Sequence, residues 1–378
     1  MNVFTEHPVA RWAVPTLAVA LLGTGAAVAN HSASADPSLP HRTAAQLLVD
    51  VQQARLAGLS GTVVQTSNLG LPELPGVGGG AGPGGGSSSL TSMVSGTHTW
   101  RLWSAGPQQT RLALIGSLGE SDVVRNGKDV WVWSSKDKTA THLTLPADEA
   151  PKTRSAPRPT DVPRTPQEAA DQALSALSRT TSVTTSGTAV VAGRSAYELV
   201  LRPKDKDTLV AQVRISVDAR RHVPLRVQVF STKAANPAFQ VGFSQVSFAK
   251  PDASRFTFNP PPGTKVTQSQ LGDHTPSPKD SKEAQKAAQG VRTVGSGWST
   301  VVLASLPAQA TAGGAGGSSA GPASSLQGVL RALPRASGSW GSGHVLKGTL
   351  FSAVVTDDGH VAIGAVRPQA LYAALAAR

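Results

Sequence analysis

A hairpin at residues 121–134, with the sequence SDVVRNGKDVWVWS, decides the fold of this chain. Asn126 and Gly127 both accept positive φ, so this pair between two β-rich runs is the strongest short hairpin signal in the sequence. In the second run, Trp131 and Trp133 point to one face of the strand while the two valines point to the other. Both faces of the predicted sheet are therefore apolar, and each must be covered.

Short runs of the same β type surround this hairpin and predict a meander of antiparallel strands. A helix over residues 43–57 precedes them, with Leu47 and Val51 on its one apolar stripe and Gly58 as its stop signal. A single apolar face indicates that the helix packs on the sheet. The strands of this first meander are predicted at residues 61–67, 96–103, 110–115, 121–125, 129–134 and 139–145.

A second helix and a second meander follow. Residues 146–166 contain six prolines, so they predict an extended surface connection. Thr165 caps the next helix and Glu168 reaches back, which is a capping box, and Leu174 faces inward from this helix. The second meander is predicted at residues 187–191, 197–202, 209–218, 225–230 and 239–248.

The N-terminal 35 residues predict export. Residues 12–29 are apolar and uncharged, follow Arg11, and precede the small triplet 33–35 just before Asp36, as at a signal-peptidase site. The alternative is an uncleaved anchor, since 18 apolar residues are at the short end of a membrane span. Residues 1–35 are therefore a signal peptide or an N-terminal membrane anchor, and membrane association through residues 12–29 stays open.

Composition narrows the classes of function. The chain has no Cys, which excludes disulfides, thiol catalysis and Cys-ligated zinc. Its formal net charge of +12 suits an anionic surface such as lipid headgroups, or it serves solubility alone. Nucleic acid is not an expected partner, because the basic residues are interspersed with acidic ones and no recognition motif is found.

No catalytic constellation emerges from the sequence. The nine His are scattered, without HExxH or paired-ligand spacing, so no metal and no cofactor is expected. Asp357 and Asp358 precede Gly359 and are interpreted as turn residues. The glycine-rich residues 76–89 lack the Lys and the following helix of a P-loop and predict a disordered loop. The chain is therefore predicted not to be an enzyme.

The C-terminal part predicts a small α+β unit at residues 298–378, after a linker at 268–297. Strands are expected at residues 298–306, 345–356 and 361–366, and Pro368 opens a short helix. Residues 308–325 form a Gly/Ser/Ala tract that predicts disorder. Three strands and a helix are marginal alone, so the unit is expected to dock on the main domain, residues 36–267.

The doubly apolar strands allow two interpretations. In the first, helices cover one face of the sheet and neighbouring loops the other, so that the large side chains are core. In the second, a concave sheet lines an apolar cavity that is capped by the two helices and holds acyl chains. The candidate cavity residues are Trp100, Leu102, Trp131 and Trp133 on strands, with Leu47, Val51 and Leu174 as lid contacts.

Four stretches of the sequence carry a family resemblance: residues 42–48, 58–65, 119–127 and, most specifically, 256–266, which read FTFNPPPGTKV. On these the chain resembles the LolA-like superfamily, which includes periplasmic lipoprotein carriers and envelope-stress regulators, and within it the exported actinobacterial branch. The resemblance implies an incompletely closed antiparallel β-barrel, or strongly curved sheet, with helices capping its concave face. Arg101 and Arg111 are the candidates for a counterpart of the carrier's lid-gating arginine, but no motif supports either.

These observations favour a non-enzymatic, extracytoplasmic protein that holds an acyl chain or a lipoprotein in a hydrophobic cavity, as carrier or envelope sensor. The alternative is a membrane-proximal regulatory module that contacts an anti-sigma factor or another membrane protein through strand edges or the C-terminal unit. A hydrolase of envelope polymers would need a convergent acid or nucleophile group that the sequence does not display.

Overall fold

The computed structural model describes residues 39–71, 96–116, 119–145, 179–270, 291–305, 330 and 332–377. Its dominant feature is a sheet of twelve strands. The strands are β1 (Leu59–Ser67), β2 (Gly96–Ser104), β3 (Gln109–Gly116), β4 (Gly119–Asn126), β5 (Asp129–Ser134), β6 (Thr139–Thr144), β7 (Thr181–Val191), β8 (Arg194–Pro203), β9 (Val210–Asp218), β10 (Pro224–Ser231), β11 (Pro237–Ser247) and β12 (Lys265–Gln270).

The strand order is β12-β6-β5-β4-β3-β2-β1-β11-β10-β9-β8-β7, so the two meanders are joined where β1 pairs with β11. All neighbours are antiparallel except β12 and β6. The two outer strands do not pair with each other, yet β7 contacts β11 across three intervening strands. The sheet is thus open and strongly curved, and the predicted fold class is confirmed.

The 121–134 hairpin forms with a small difference in its loop. Asn126 pairs with Asp129 as the last rung of the ladder, which leaves Gly127 and Lys128 as the two loop residues. Gly127 has φ of +62° at the first loop position, which is typical of a type II′ turn. Glycine at this position explains the tight connection, although Asn126 belongs to the strand.

A segment that we call the strap, residues 248–264, crosses one face of the first meander after β11. It contains a 3₁₀ turn, Ala253–Phe256, capped by the Asp252 side chain, which accepts from the Ser254 amide at 2.8 Å. Phe256 is fully buried against β3 and β4. The FTFNPPPG phrase therefore covers a sheet face and then leads into β12, a strand that the sequence analysis assigned partly to a linker.

The N-terminal helix spans Ala44–Gln53 and is shorter than the predicted 43–57. Thr43 and Gln46 form a capping box at its start. The helix ends early because Ala54 is extended, and Arg55 donates to the carbonyl oxygens of Gln52 and Ala54, which satisfies the last turn.

The C-terminal unit is a second, six-stranded antiparallel sheet in the order β13-β14-β18-β17-β16-β15, with a helix at Pro368–Ala376 packed on it. Its strands are β13 (Arg292–Val294), β14 (Val301–Ser305), β15 (Arg335–Gly338), β16 (Gly341–Lys347), β17 (Ser352–Thr356) and β18 (His360–Gly364). The single strand expected at 345–356 is two strands, because Gly348 opens a turn where the chain reverses. β13 lies in the predicted linker, and three residues are too few to show a period.

The two sheets are joined by hydrogen bonds between main-chain groups and short polar side chains. The Leu209 amide and the Thr208 hydroxyl both donate to the Ala365 carbonyl oxygen, at 2.7 and 2.8 Å. The Thr349 amide donates to the Leu69 carbonyl oxygen at 2.7 Å, and Trp298 Nε1 donates to the Thr181 hydroxyl at 2.8 Å. The small unit therefore docks on the large sheet at several separate points.

Several predictions fall on residues that the structure does not describe. They are the apolar segment 12–29, the glycine-rich loop 76–89, the connection 146–166, the second helix with Leu174, and the tract 308–325. Within the described ranges, no helix has the length and hydropathy of a membrane span.

The strap should make a large contribution to stability. Phe256→Ala removes a fully buried ring, so we expect a loss of about 3 to 5 kcal/mol in the free energy of unfolding. Urea denaturation followed by tryptophan fluorescence measures it. The control is Thr257→Ala, an exposed neighbour in the same strap, which should change stability by less than about 0.5 kcal/mol. Equal effects of the two changes would contradict a packing role for the strap.

Candidate functional site

The register of the strands assigns the predicted site residues to two opposite faces of the sheet. Val63 of β1 pairs with Trp100 of β2, and Leu102 lies two residues from Trp100 on the same face. We call this the cavity face. Trp131 of β5 pairs with Val124 of β4, which pairs with Arg111 of β3, and Arg111 pairs with Trp103 of β2. Trp103 is three residues from Trp100 and therefore points to the opposite face. Trp131 and Trp133 share the face of Trp103, so they lie on the other side of the sheet from Trp100.

The cavity face contains an apolar cavity of about 120 Å³, open on one side, between the two meanders. Four of the residues that line it belong to the first meander and seven belong to β10 and β11, so the cavity spans the β1–β11 junction. Its lining residues are Val63, Trp100, Leu102, Leu112, Pro224, Leu225, Arg226, Val227, Val241, Gly242 and Phe243.

Two irregularities in the ladder shape this cavity. The register between β1 and β11 shifts after Thr62, so Phe243 rather than Ser244 stands opposite Val63. The Phe243 ring then lies over Gly61, where a Cβ atom would come within 2.8 Å of Phe243 Cδ1. A second shift in β10 leaves Leu225 without a partner on β9, and this side chain is fully buried. Gly61 and the bulges thus make room for large apolar side chains at the junction.

Two polar side chains are buried beside the cavity. Gln65 and Trp100 are each about 1% exposed. Gln65 Oε1 and Trp100 Nε1 have no hydrogen-bond partner among the described residues. The sequence analysis passed over Gln65 because a polar residue in a strand is normally solvent-facing. The signal that could have identified it is its spacing of two from Val63, which places it on the same face.

The charged groups of β8, β9 and β10 lie on the opposite side of the sheet from the cavity interior. Burial lowers the pKa of Arg226, although Glu198 acts to raise it, and Arg214 also lowers it. The aliphatic part of Arg226 packs over Gly242, where a Cβ atom would approach it to 2.9 Å. Arg226 is the charged residue among those that line the cavity, although its side chain points by register to the face opposite Val227 and Val241.

The N-terminal helix does not border the cavity. Leu47 is fully buried and Val51 is half-buried, but the helix contacts β7, at the far edge of the sheet. The Tyr197 hydroxyl fixes its approach by donating to the Pro40 carbonyl oxygen at 2.9 Å. The pairing of Tyr197 with Val217, continued through β10 to Val241, places Tyr197 on the cavity face. The helix therefore covers this face near β7.

Trp131 and Trp133 lie under the strap and do not line this cavity. The Trp131 ring stacks on His142 with the ring centroids 4.3 Å apart, and it lies 5.3 Å from Phe258. Trp133 lies 6.0 Å from the same Phe258 ring. We call this side the strap face. The alternation along β5 predicted that the face with the two tryptophans is covered. The element that covers it is the strap and not a ligand cavity.

A buried ion pair lies on the strap face. Arg111 donates to Asp122, whose side chain is almost completely buried. The guanidinium groups of Arg111 and Arg255 both lie over the Trp103 ring, 5.7 and 5.8 Å from its centroid. Burial raises the pKa of Asp122 to about 6; the charge and hydrogen bond of Arg111 lower it, and Glu120 raises it further. Arg111 and the exposed Arg101 both face away from the cavity, so neither has the position of a gate at its mouth.

The acidic pair of the C-terminal unit forms a turn, as predicted. Asp357 accepts hydrogen bonds from Arg335 and Ser342, and Gly359 has φ of +84°. In the part of the chain that the structure describes, no group of three or more His, Cys, Asp or Glu side chains is placed to hold a metal ion.

The chain thus forms an open, curved antiparallel sheet with an apolar cavity on one face and a helix that covers part of the same face. Residues 88–268 match the model of a family described as predicted periplasmic protein (DUF2092). No curated protein sequence matches the chain.

Three solved structures show what the chain is similar to. The complex of MucA and MucB from Pseudomonas aeruginosa is 15% identical, with a TM-score of 0.44 over 88% of this chain and 96% of that one. A LolA superfamily protein from Nitrosomonas europaea is 12% identical, with a TM-score of 0.21 over 58% and 99%. A putative outer membrane lipoprotein-sorting protein domain from Vibrio parahaemolyticus is 10% identical, with a TM-score of 0.22 over 56% and 95%.

The buried carboxyl group should make stability depend on pH. Its folded pKa of about 6 is above the ordinary 3.8, so the neutral form is favoured on folding. This contribution is present below about pH 4 and is lost as the pH rises through about 6. The free energy of unfolding of the natural protein relative to Asp122→Asn should therefore fall by roughly 2 kcal/mol between pH 4 and pH 7.

Urea denaturation at each pH measures this difference. The matched control is Asp137→Asn, because Asp137 is exposed in the turn between β5 and β6. Its stability difference from the natural protein should stay level over the same range. A stability difference for Asp122→Asn that rises with pH would contradict the assigned direction of the pKa shift.

Proposed function

We propose that this protein binds an apolar ligand, the acyl chain of a lipid or a lipoprotein, in the cavity at the β1–β11 junction. It acts outside the cytoplasm as a non-enzymatic carrier or sensor. The observation that carries the proposal is the cavity itself: a wall of aliphatic and aromatic side chains from two separate meanders, left open on one side. Trp100 and Leu102 are the proposed ligand contacts among the residues predicted from the sequence.

The size of the cavity limits what enters it. A cavity of about 150 Å³ lined by apolar side chains holds one benzene molecule, so about 120 Å³ accommodates a segment of about four to six carbons. Burying five methylenes contributes about 4 kcal/mol, which alone corresponds to a dissociation constant of about 1 mM. Tighter binding requires that the rest of the chain lie along the open side, so a long acyl chain fits better than a small apolar molecule.

The location of the protein is supported by two observations. The first 35 residues have the pattern of an export signal or an anchor. The family whose model matches residues 88–268 is described as periplasmic. A cavity that shields an acyl chain from water is useful where lipids must cross an aqueous space or be detected in it.

Native mass spectrometry of the protein purified from the envelope of its own host tests the proposal. A stoichiometric acylated species, identified after lipid extraction, is the expected result. Protein that carries no lipid but copurifies with a membrane polypeptide would overturn the proposal and favour the regulatory module.

Filling the cavity should abolish ligand binding without unfolding the protein. Leu112 lies in the wall and is half-buried, so Leu112→Trp places an indole where the ligand would lie. The control is Ile115→Trp, on the same strand but on the opposite face, where the side chain is 41% exposed. We expect the lipid content to fall at least about tenfold in Leu112→Trp and less than about twofold in Ile115→Trp. Lipid extraction from equal amounts of folded protein measures both. Equal lipid content in both would contradict the cavity as the site.

The strap face gives a complementary prediction. Trp131→Ala removes contacts with Phe258 and His142, so it should lower the free energy of unfolding by about 2 to 3 kcal/mol, less than for a fully buried indole. Because Trp131 faces away from the cavity, the lipid content of the folded variant should equal that of the natural protein. Urea denaturation and lipid extraction measure the two effects. Loss of lipid with unchanged stability would place a ligand under the strap instead.

A further inference from the structure

The two ends of the large sheet are used differently. The C-terminal unit docks at one end, where it bonds Leu69 after β1, Thr181 at the start of β7, Leu209 just before β9 and Ser231 at the end of β10. The antiparallel order places these four positions at the same end of the strands. At the opposite end, which we call the basic end, the chain turns at residues 54–58, 105–108, 127–128, 192–193, 219–223 and 248–255.

Basic residues outnumber acidic ones in the turns of the basic end. Asp252 is their one acidic residue, and its carboxylate caps the 3₁₀ turn of the strap. The acidic residues at the adjoining strand ends have basic partners, since Asp129 bonds His142 at 2.8 Å and Asp218 binds Arg194. The basic side chains of these turns are all exposed: Arg55, Lys128, Arg220, Arg221, Lys250 and Arg255.

The turn between β9 and β10 presents two of these cations to solvent. The Asp218 carboxylate accepts from the amides of Arg220 and Arg221, at 3.0 and 2.6 Å. Burial raises the pKa of Asp218, but the bonds from Arg194 and from the two amides lower it below its ordinary value, so the carboxylate that holds the turn is ionised at neutral pH. Because main-chain amides make these bonds, both guanidinium groups stay exposed, and in the described ranges neither forms an ion pair with an acidic side chain.

Several of these turns lie directly against one another. A Cβ atom on Gly58 would come within 2.3 Å of Lys250 Cα, so the 54–58 and 248–255 turns are in close contact. The Arg194 guanidinium lies 4.7 Å from the centroid of the Phe248 ring and also binds Asp218. These contacts join the turns at 54–58, 192–193, 219–223 and 248–255 into one continuous surface.

The apolar cavity lies in the part of the sheet that extends from the middle of the strands to the basic end. Its lining residue Pro224 is the first residue of β10 and directly follows the 219–223 turn. Leu225 and Phe243, also in the wall, belong to an apolar cluster with Phe248. Apolar contact is therefore continuous from the cavity to the surface that carries the exposed cations.

We propose that the basic end is a docking surface for an anionic lipid bilayer, with Arg220, Arg221 and Lys250 next to the lipid head groups. This goes beyond the proposed function, because it names the surface on which the protein would load or release an acyl chain. Docking by this end brings the cavity near the bilayer and keeps the C-terminal unit on the far side. The ligand then has a short path between membrane and cavity.

The distribution of the charges favours a lipid surface over an acidic polypeptide. Attraction to an anionic bilayer acts on each Lys or Arg near the surface and falls off within about 8 Å at physiological salt, so only cations gathered on one side of a protein act together. The cations of the basic end come from separate turns of both meanders and are spread across the end of a sheet. A broad surface of negative charge reaches all of them at once, whereas an extended peptide follows a single line.

Cosedimentation of the full-length protein with vesicles tests the docking surface. One set of vesicles is phosphatidylcholine alone, and the other is equal parts phosphatidylcholine and phosphatidylglycerol. Each basic residue at an anionic surface raises the affinity about fivefold, so we expect binding to the anionic vesicles to be at least about a hundredfold tighter and to weaken steeply with salt. Residues 12–29 are uncharged, so their contribution is common to both vesicles and cancels in the ratio. Equal binding to both would overturn the inference.

A pair of double variants assigns the effect to the basic end. Arg220→Gln with Arg221→Gln removes two exposed charges and leaves the amide bonds of the turn in place, so the preference for anionic vesicles should fall at least about tenfold. The matched control is Lys136→Gln with Lys138→Gln, which removes two exposed charges from the β5–β6 turn at the other end of the sheet. It should change the preference less than about twofold. Equal losses in the two variants would attribute binding to net charge and overturn the docking surface.

Two further outcomes separate this inference from its alternatives. Soluble polyglutamate at the same concentration of negative charge should not displace the protein from anionic vesicles; displacement would assign the basic end to an acidic polypeptide and overturn the inference. A protein that carries no lipid when purified but prefers anionic vesicles would support the docking surface and contradict the cavity proposal. A lipid-loaded protein without this preference would do the reverse.

Discussion

The pairing of β1 with β11 is the constraint on which the rest of the structure depends. Other neighbouring strands of the large sheet mostly follow each other along the chain, but this pair joins Ser60 to Ser247 and connects two meanders that are otherwise separate. Closing such a long segment costs chain entropy, so the junction must be well packed. Gly61 under the Phe243 ring supplies close contact there, and the cavity opens beside the same contact.

Both faces of the first meander must also be covered, and a different part of the chain covers each face. On one face the strap brings its own aromatic side chains, Phe256 and Phe258, onto β3, β4 and the two tryptophans of β5. On the other face the curl of the sheet brings β10 and β11 towards Trp100. The strap covers the β3–β5 part of its face with continuous chain, whereas the two curved meanders leave a gap where they meet. The gap is the cavity.

Local patterns were sufficient to predict the meanders, but not which side of the sheet each residue faces. Asn126-Gly127 and the alternation in β5 identified the hairpin, and the start of the N-terminal helix at Thr43 was predicted. Trp100 and Trp131 were placed in one cavity because alternation within a strand says nothing of register between strands. The spacing of three between Trp100 and Trp103 already implied two faces. β12 was not predicted as a strand, because its parallel partner β6 is more than 120 residues away in sequence. The N-terminal helix was predicted too long because Arg55 caps it early.

The separation of charge from the cavity follows from the same two-sided arrangement. The buried ion pair of Arg111 and Asp122 lies on the strap face. By register the side chains of Arg214, Arg226 and Glu198 also point away from the cavity face, although Arg226 forms part of the cavity wall. A charge in an apolar cavity of this size would need its own partner, and each charge on the other face has one nearby or reaches water. The wall of the cavity is consequently apolar apart from Arg226, whose Cβ and Cγ atoms pack over Gly242. An apolar wall binds by the burial of hydrocarbon, which does not depend on net charge, so the basic composition of the protein and the affinity of its cavity for hydrocarbon are independent properties.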